Sequence, residues 1–140
     1  MVKKNFSELS VDSPIENFVV VKNWLQNIFD DISCIDKAKK QLFIVVDEIF
    51  TNIAQYAYED KGKVKLKASY NSDEKTLEIT TIDNGEKYNP LERPDPDFAQ
   101  RKKDKTIGGL GIYMVKKMVD TIEYSRVDNQ NILFFTKKVN

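Results

Sequence analysis

The stretch QLFIVVDEIFTNIAQYAY, residues 41–58, decides the fold. At about 100° per residue, Leu42, Val45, Val46, Ile49, Ile53 and Ala57 fall on one arc of a helix. Glu48, Asn52, Gln55 and Glu59 recur beside it as a polar stripe. A helix of this layout packs its arc against a sheet and leaves the stripe along the rim of a cleft. Taken alone, the stripe reads as a solvated face. Two later stretches, Asp83-Asn84-Gly85 and Gly108-Gly109-Leu110-Gly111, turn it into a candidate site.

Working outward, residues 2–9 alternate weakly and are expected to form an edge strand. Ser13-Pro14-Ile15-Glu16 has the form of a helix start, with serine as N-cap, proline at the first helical position and glutamate three residues after the cap. Phe18, Val21, Trp24 or Leu25, and Ile28 supply that helix's apolar stripe to about Phe29. Residues 30–33 form a short connection, and the central helix begins near Ile35 or Asp36. Beyond Tyr58, the polar, glycine-containing EDKGK ends it.

Val64, Leu66, Ala68 and Tyr70 alternate with lysines and a serine, and Leu77, Ile79 and Thr81 alternate after a turn at residues 71–74. These are the two strands of an antiparallel hairpin. Residues 84–107 show no periodicity and hold three of the four prolines, Pro90, Pro94 and Pro96, as expected of a long functional loop or lid. A helix then runs from Gly108 to about Asp120. TIEYSRV and ILFFTKK, separated by a turn at residues 128–131, form a last hairpin. The order β α α β β, lid, α β β has no βαβ rhythm. It predicts an α+β class, a two-layer sandwich with helices on one sheet face.

At 140 residues the chain suits one domain with one core. Twenty-two basic residues balance 22 acidic ones, so no basic field for nucleic acid is present. No apolar run approaches the roughly 20 residues that span a bilayer, and MVKKNFSEL lacks a signal-peptide core. No membrane association and a cytoplasmic location are therefore expected. Cys34 is the single cysteine and reads as a core thiol. The chain has no histidine, which removes Ser-His and Cys-His pairs, histidine metal clusters and a phosphorylatable histidine. Any chemistry must fall to carboxylates, amides, lysines and backbone N–H groups.

Asn84-Gly85 is a common hairpin turn, yet no partner strand follows it. A carboxylate fixed at a strand end beside a glycine is suited to accept from an exocyclic amine such as adenine's, with the glycine giving clearance. Gly108-Gly109-Leu110-Gly111 opens a helix, where free N–H groups and the helix dipole favour phosphate. It is neither a Walker loop nor a dinucleotide fingerprint.

Together the three stretches resemble the GHKL ATPases of the Bergerat fold, whose sheet is mixed and mostly antiparallel. Glu48 with Asn52 looks like the N-box, Asp83-Asn84-Gly85 the adenine box and Gly109-Leu110-Gly111 the second glycine box, in matching order along essentially the whole chain. DNGEKYNP and GGLGIYMVKKMVD look most like the anti-sigma factor serine/threonine kinases. The resemblance implies ATP and Mg²⁺ as cofactors and phosphorylation of an anti-anti-sigma partner, combined with sequestration of a sigma factor. A homodimer is the assembly it implies.

Carried over residue by residue, Asn52 would hold Mg²⁺, Glu48 would act as general base and Asp83 would recognise adenine. Gly85 would give clearance, and the turn at Gly108, Gly109, Leu110 and Gly111 would bind phosphate. Tyr56 stands where many relatives carry a histidine, at a position with no chemical role expected. No arginine directly precedes the glycine stretch, so Arg101, Lys103 and Lys105 are the nearest cations. The rival readings are an ATP-binding regulatory module without phosphotransfer and a detached histidine-kinase catalytic domain.

Overall fold

The computed structural model describes residues 4–100 and 110–140. Strands β1 (Lys4–Asp12), β2 (Lys63–Asn71), β3 (Thr76–Asp83), β4 (Thr121–Val127) and β5 (Gln130–Lys138) form one sheet in the order β1-β2-β3-β5-β4. All four pairings are antiparallel, so the mostly antiparallel sheet of the resemblance is wholly so among the described residues. Helices α1 (Phe18–Asp31), α2 (Asp36–Asn52) and α3 (Gly111–Met118) follow the order read from the sequence.

One sheet face carries the core. Val64, Leu66, Ala68 and Tyr70 of β2, Leu77 and Ile79 of β3, and Leu133 and Phe135 of β5 are buried, while their alternating neighbours are more exposed. The α2 arc packs onto this face: Leu42, Val45, Val46 and Ile49 are essentially inaccessible, joined by Val21 and Leu25 of α1 and Val115 of α3. Period 2 in the strands meets period 3.6 in the helices across one apolar layer. The predicted edge strand is β1, pairing with β2 from Lys4↔Asn71 to Asp12↔Lys63.

Three local expectations are corrected. Ser13 does not cap a helix: its hydroxyl accepts from the Gly62 N–H at 3.0 Å and its own N–H donates to the Gly62 carbonyl at 2.8 Å. The chain enters α1 through a 3-10 turn, Ile15–Asn17, without a side-chain cap. The central helix is α-helical only to Asn52 and continues as a π turn, Ile53–Ala57. The last hairpin turns on two residues, Asp128 and Asn129, with φ of 52° and 63°, the paired left-handed geometry that tight hairpins favour. Asn131, assigned to the turn by sequence, therefore lies in β5 opposite Asp83.

Among the described residues no helix is long and apolar enough to cross a membrane. Residues 93–100, the described end of the expected lid, touch α3: Lys116 Nζ lies 2.7 Å from Asp95 Oδ1, and the Phe98 and Tyr113 rings meet edge-on at 5.3 Å.

Candidate functional site

Where α2 gives way to its π turn, the end of β3 comes up beside it. Ile49, Asn52, Ile53 and Ala57 from that helix, Thr81 and Asp83 from β3, Tyr88 and Pro90 from the following loop, and Tyr124, Asn131 and Leu133 from β4 and β5 enclose a mostly apolar cavity. Its buried polar residues are few: Asn52, Thr81, Asp83 and Asn131 expose only 3–6% of their surface. A small apolar cavity with a few fixed polar groups is how a protein grips a planar heterocycle.

Asp83 is held by two donors on the same oxygen, with Gly85 N–H at 3.0 Å and Asn131 Nδ2 at 2.9 Å from Oδ1. The first bond is an Asx turn, which carries the chain out of β3 instead of into a hairpin. Among the described residues no donor reaches Oδ2. Burial pushes the Asp83 carboxyl above its ordinary range, and the Asn131 and Gly85 hydrogen bonds and the Arg126 charge pull it back.

Asn131 is the site residue that the sequence reading missed. Its Nδ2 also donates to the Glu86 carbonyl at 2.7 Å, and its Oδ1 accepts from the Tyr88 N–H at 3.2 Å and from the Tyr124 hydroxyl. The two-residue turn required by the left-handed pair would have placed it in the strand; no local motif marks it.

Gly85 has a structural reason beside the expected clearance. A Cβ there would collide with the Ala57 carbonyl, and the next residue's N–H donates to that same oxygen at 2.8 Å. The missing side chain lets the loop close onto the π turn, which shapes the cavity from behind. Arg126 ties the same loop by donating to the Gly85 carbonyl at 2.8 Å.

Asn52 lies one turn from Glu48, as the stripe required. Its Nδ2 is buried without a hydrogen-bond partner among the described residues. A buried amide left unpaired carries a cost of about 1–3 kcal/mol, which fits a group reserved for a ligand. Glu48 sits outside the cavity, half-buried, with its carboxylate packed against Gly111; a Cβ on Gly111 would occupy the Glu48 Oε2 position. Burial, followed by the Asp47 charge, raises the Glu48 carboxyl, and Arg93 lowers it.

Leu110 precedes the first turn of α3. Gly108 and Gly109, and with them Arg101, Lys103 and Lys105, lie outside the described residues. The structure thus brings Asn52 and Asp83 together, sets Glu48 against Gly111, and places Gly85 behind the cavity.

The donor set suits a nucleotide carried with a hard cation. Among the described residues no three acidic, cysteine or histidine side chains converge. A Mg²⁺ ion here would take Asn52 as its protein ligand and draw its other oxygens from phosphates and water.

An all-antiparallel sheet covered on one face by helices, with a buried carboxylate at one strand end and an acidic-amide pair on the facing helix, defines an ATP-binding α+β sandwich of the GHKL type. Over residues 13–137 the chain matches the family described as the histidine kinase-like ATPase domain. The chain belongs to that family.

It is 23% identical over 124 residues to the serine-protein kinase RsbW of Bacillus velezensis, covering 85% of this chain and 77% of that one. It is 23% identical over 113 residues to the serine/threonine-protein kinase BtrW of Bordetella bronchiseptica, covering 81% and 80%. It is 29% identical over 121 residues to RsbW of Halalkalibacterium halodurans, covering 84% and 68%. The crystal structure of the RsbU and RsbW domains of Rv1364c from Mycobacterium tuberculosis superposes with a TM-score of 0.68 at 14% identity. That match covers 96% of this chain and about a third, 32%, of the other, and it shows the shared fold.

Proposed function

We propose that the protein is a Mg-ATP-dependent serine/threonine kinase that acts in the cytoplasm as an anti-sigma factor and phosphorylates an anti-anti-sigma partner. The observation that carries this reading is the placement of Asp83 and Asn52 on one cavity with Glu48 a single helical turn before Asn52. The kinase names of the relatives support it.

Asp83 Oδ2 would accept from the adenine amine, and Asn131 would hold the carboxylate in place for it. Asn52 would ligate Mg²⁺ and present its unpaired amide hydrogens to the phosphates. The metal, when bound, neutralises charge on the transferring phosphoryl group. Glu48 would take the proton from the attacking serine or threonine hydroxyl. Its raised pKa makes it a better base than an ordinary surface glutamate. The turn at residues 108–111 would contribute backbone N–H groups to the phosphates, as its glycines imply. A homodimer is the expected assembly.

Incubation with γ-labelled ATP and a candidate anti-anti-sigma protein tests the reading. Phosphoserine or phosphothreonine on the partner is the expected product. Phosphohistidine on a partner would assign the chain as a histidine-kinase catalytic domain, and ATP binding without transfer would assign a regulatory module.

A further inference from the structure

Arg93 plays no part in the site as read from the sequence, yet its backbone and its guanidinium are both held in place. It ends a short 3-10 turn, Pro90–Glu92, that is fixed at both ends: Asn89 Oδ1 accepts from the Leu91 N–H at 2.9 Å, and the Arg93 N–H donates to the Pro90 carbonyl at 3.2 Å. Its guanidinium lies over the Tyr56 ring at 5.2 Å and donates to the Tyr88 hydroxyl at 2.9 Å. The two tyrosines stack at 4.8 Å with their planes 24° apart. Tyr88 lines the cavity, and Tyr56 follows Asn52 by one turn, so this shelf stands on the rim of the Glu48–Asn52 stripe.

The partners of the two nearby arginines differ in a telling way. Arg126 is engaged at the Asp83 end, on the Gly85 carbonyl. Arg93 has no carboxylate within ion-pair distance among the described residues, although its charge is felt at Glu48. Stacking and a phenol hydroxyl orient a guanidinium without neutralising it. A planar cation pre-organised by neutral partners, one of which lines the cavity that holds the unpaired amide, is matched to an anion with several oxygens.

We propose that Arg93, held on the Tyr56–Tyr88 shelf, binds the phosphate chain of the nucleotide, making the position after the adenine-box loop part of the phosphate site. The inference rests on the ATP-binding reading above. It also gives Tyr56 a purpose, as the platform that aims the cation.

Titration calorimetry of the intact chain with Mg-ATP and with adenosine tests it, using wild type, Arg93→Gln and Arg93→Lys. Adenosine carries no phosphate, so its affinity reports the Asp83 cavity and the integrity of the fold. Arg93→Gln is expected to weaken ATP by about 10-fold while adenosine binding is unchanged, and the ATP deficit should shrink as salt is raised. Arg93→Lys should recover part of the loss, since it restores charge without the planar stack. Equal ATP affinity in wild type and Arg93→Gln would overturn the inference and leave the ATP site standing. A parallel loss of ATP and adenosine would assign the shelf a purely structural role. Wild type that binds adenosine but not ATP would sink the nucleotide reading and the inference together.

Discussion

Asp83 is buried as a carboxylate, and its raised pKa means that the folded chain holds the proton more tightly than the unfolded one does. Its favourable contribution is therefore present below the unfolded pKa and lost as pH rises through the folded value, so ionising the group lowers stability. Asp83→Asn keeps an oxygen for Asn131 and the Gly85 N–H but replaces the free acceptor with a donor. The melting temperature should stay level or rise. ATP affinity should fall several-fold or more, from about 1–3 kcal/mol of unpaired adenine amine; unchanged affinity by calorimetry would remove Asp83 from the base-binding role. Glu48 is raised in the same sense, and a general base works only when ionised. Phosphotransfer should drop as pH is lowered through a pKa above the ordinary 4.5. Because Arg93 lowers that pKa, Arg93→Gln should move the inflection of the pH–rate profile upward; an inflection that stays in place would mean the two groups do not communicate.

The elements separate two kinds of glycine. At Gly85 a Cβ meets backbone, the Ala57 carbonyl at the π turn, which has little freedom to yield. Gly85→Ala should therefore destabilise the chain by about 1–3 kcal/mol, seen as a lowered midpoint in urea. At Gly111 a Cβ meets the end of a flexible side chain, Glu48. Gly111→Ala should leave the midpoint nearly unchanged and lower phosphotransfer by displacing the base; a large fall in stability with normal transfer would contradict the arrangement. Sequence patterns reached the strands and the apolar arc of α2 because periodicity reports burial directly. They failed where a long-range contact outweighed a local preference. Ser13 has the chemistry of an N-cap, but the Gly62 backbone claims its hydroxyl. Asn131 has the composition of a turn residue, but the left-handed pair at Asp128 and Asn129 closes the hairpin first.

For the molecule as a whole, the order of elements and the three motifs were enough to specify an α+β sandwich, since each amphipathic element has only one partner layer to bury against. The site was legible only in part. Glu48, Asn52 and Asp83 carry motif spacing, whereas Asn131 and Arg93 enter through sheet register and through a cation resting on aromatic rings, neither of which leaves a pattern along the chain. On the proposed reading one helix face divides the work, with Asn52 serving nucleotide binding and Glu48 serving the transfer step. The most direct test of that division measures Mg-ATP affinity and the rate of phosphate transfer to the partner for Glu48→Gln and Asn52→Ala in parallel. Removing a positioned base typically lowers a rate by about 10² to 10⁴, so Glu48→Gln should bind Mg-ATP like wild type and transfer slower by that factor, while Asn52→Ala loses magnesium-dependent binding as well. A Glu48→Gln protein that phosphorylates its partner at the wild-type rate would contradict the account.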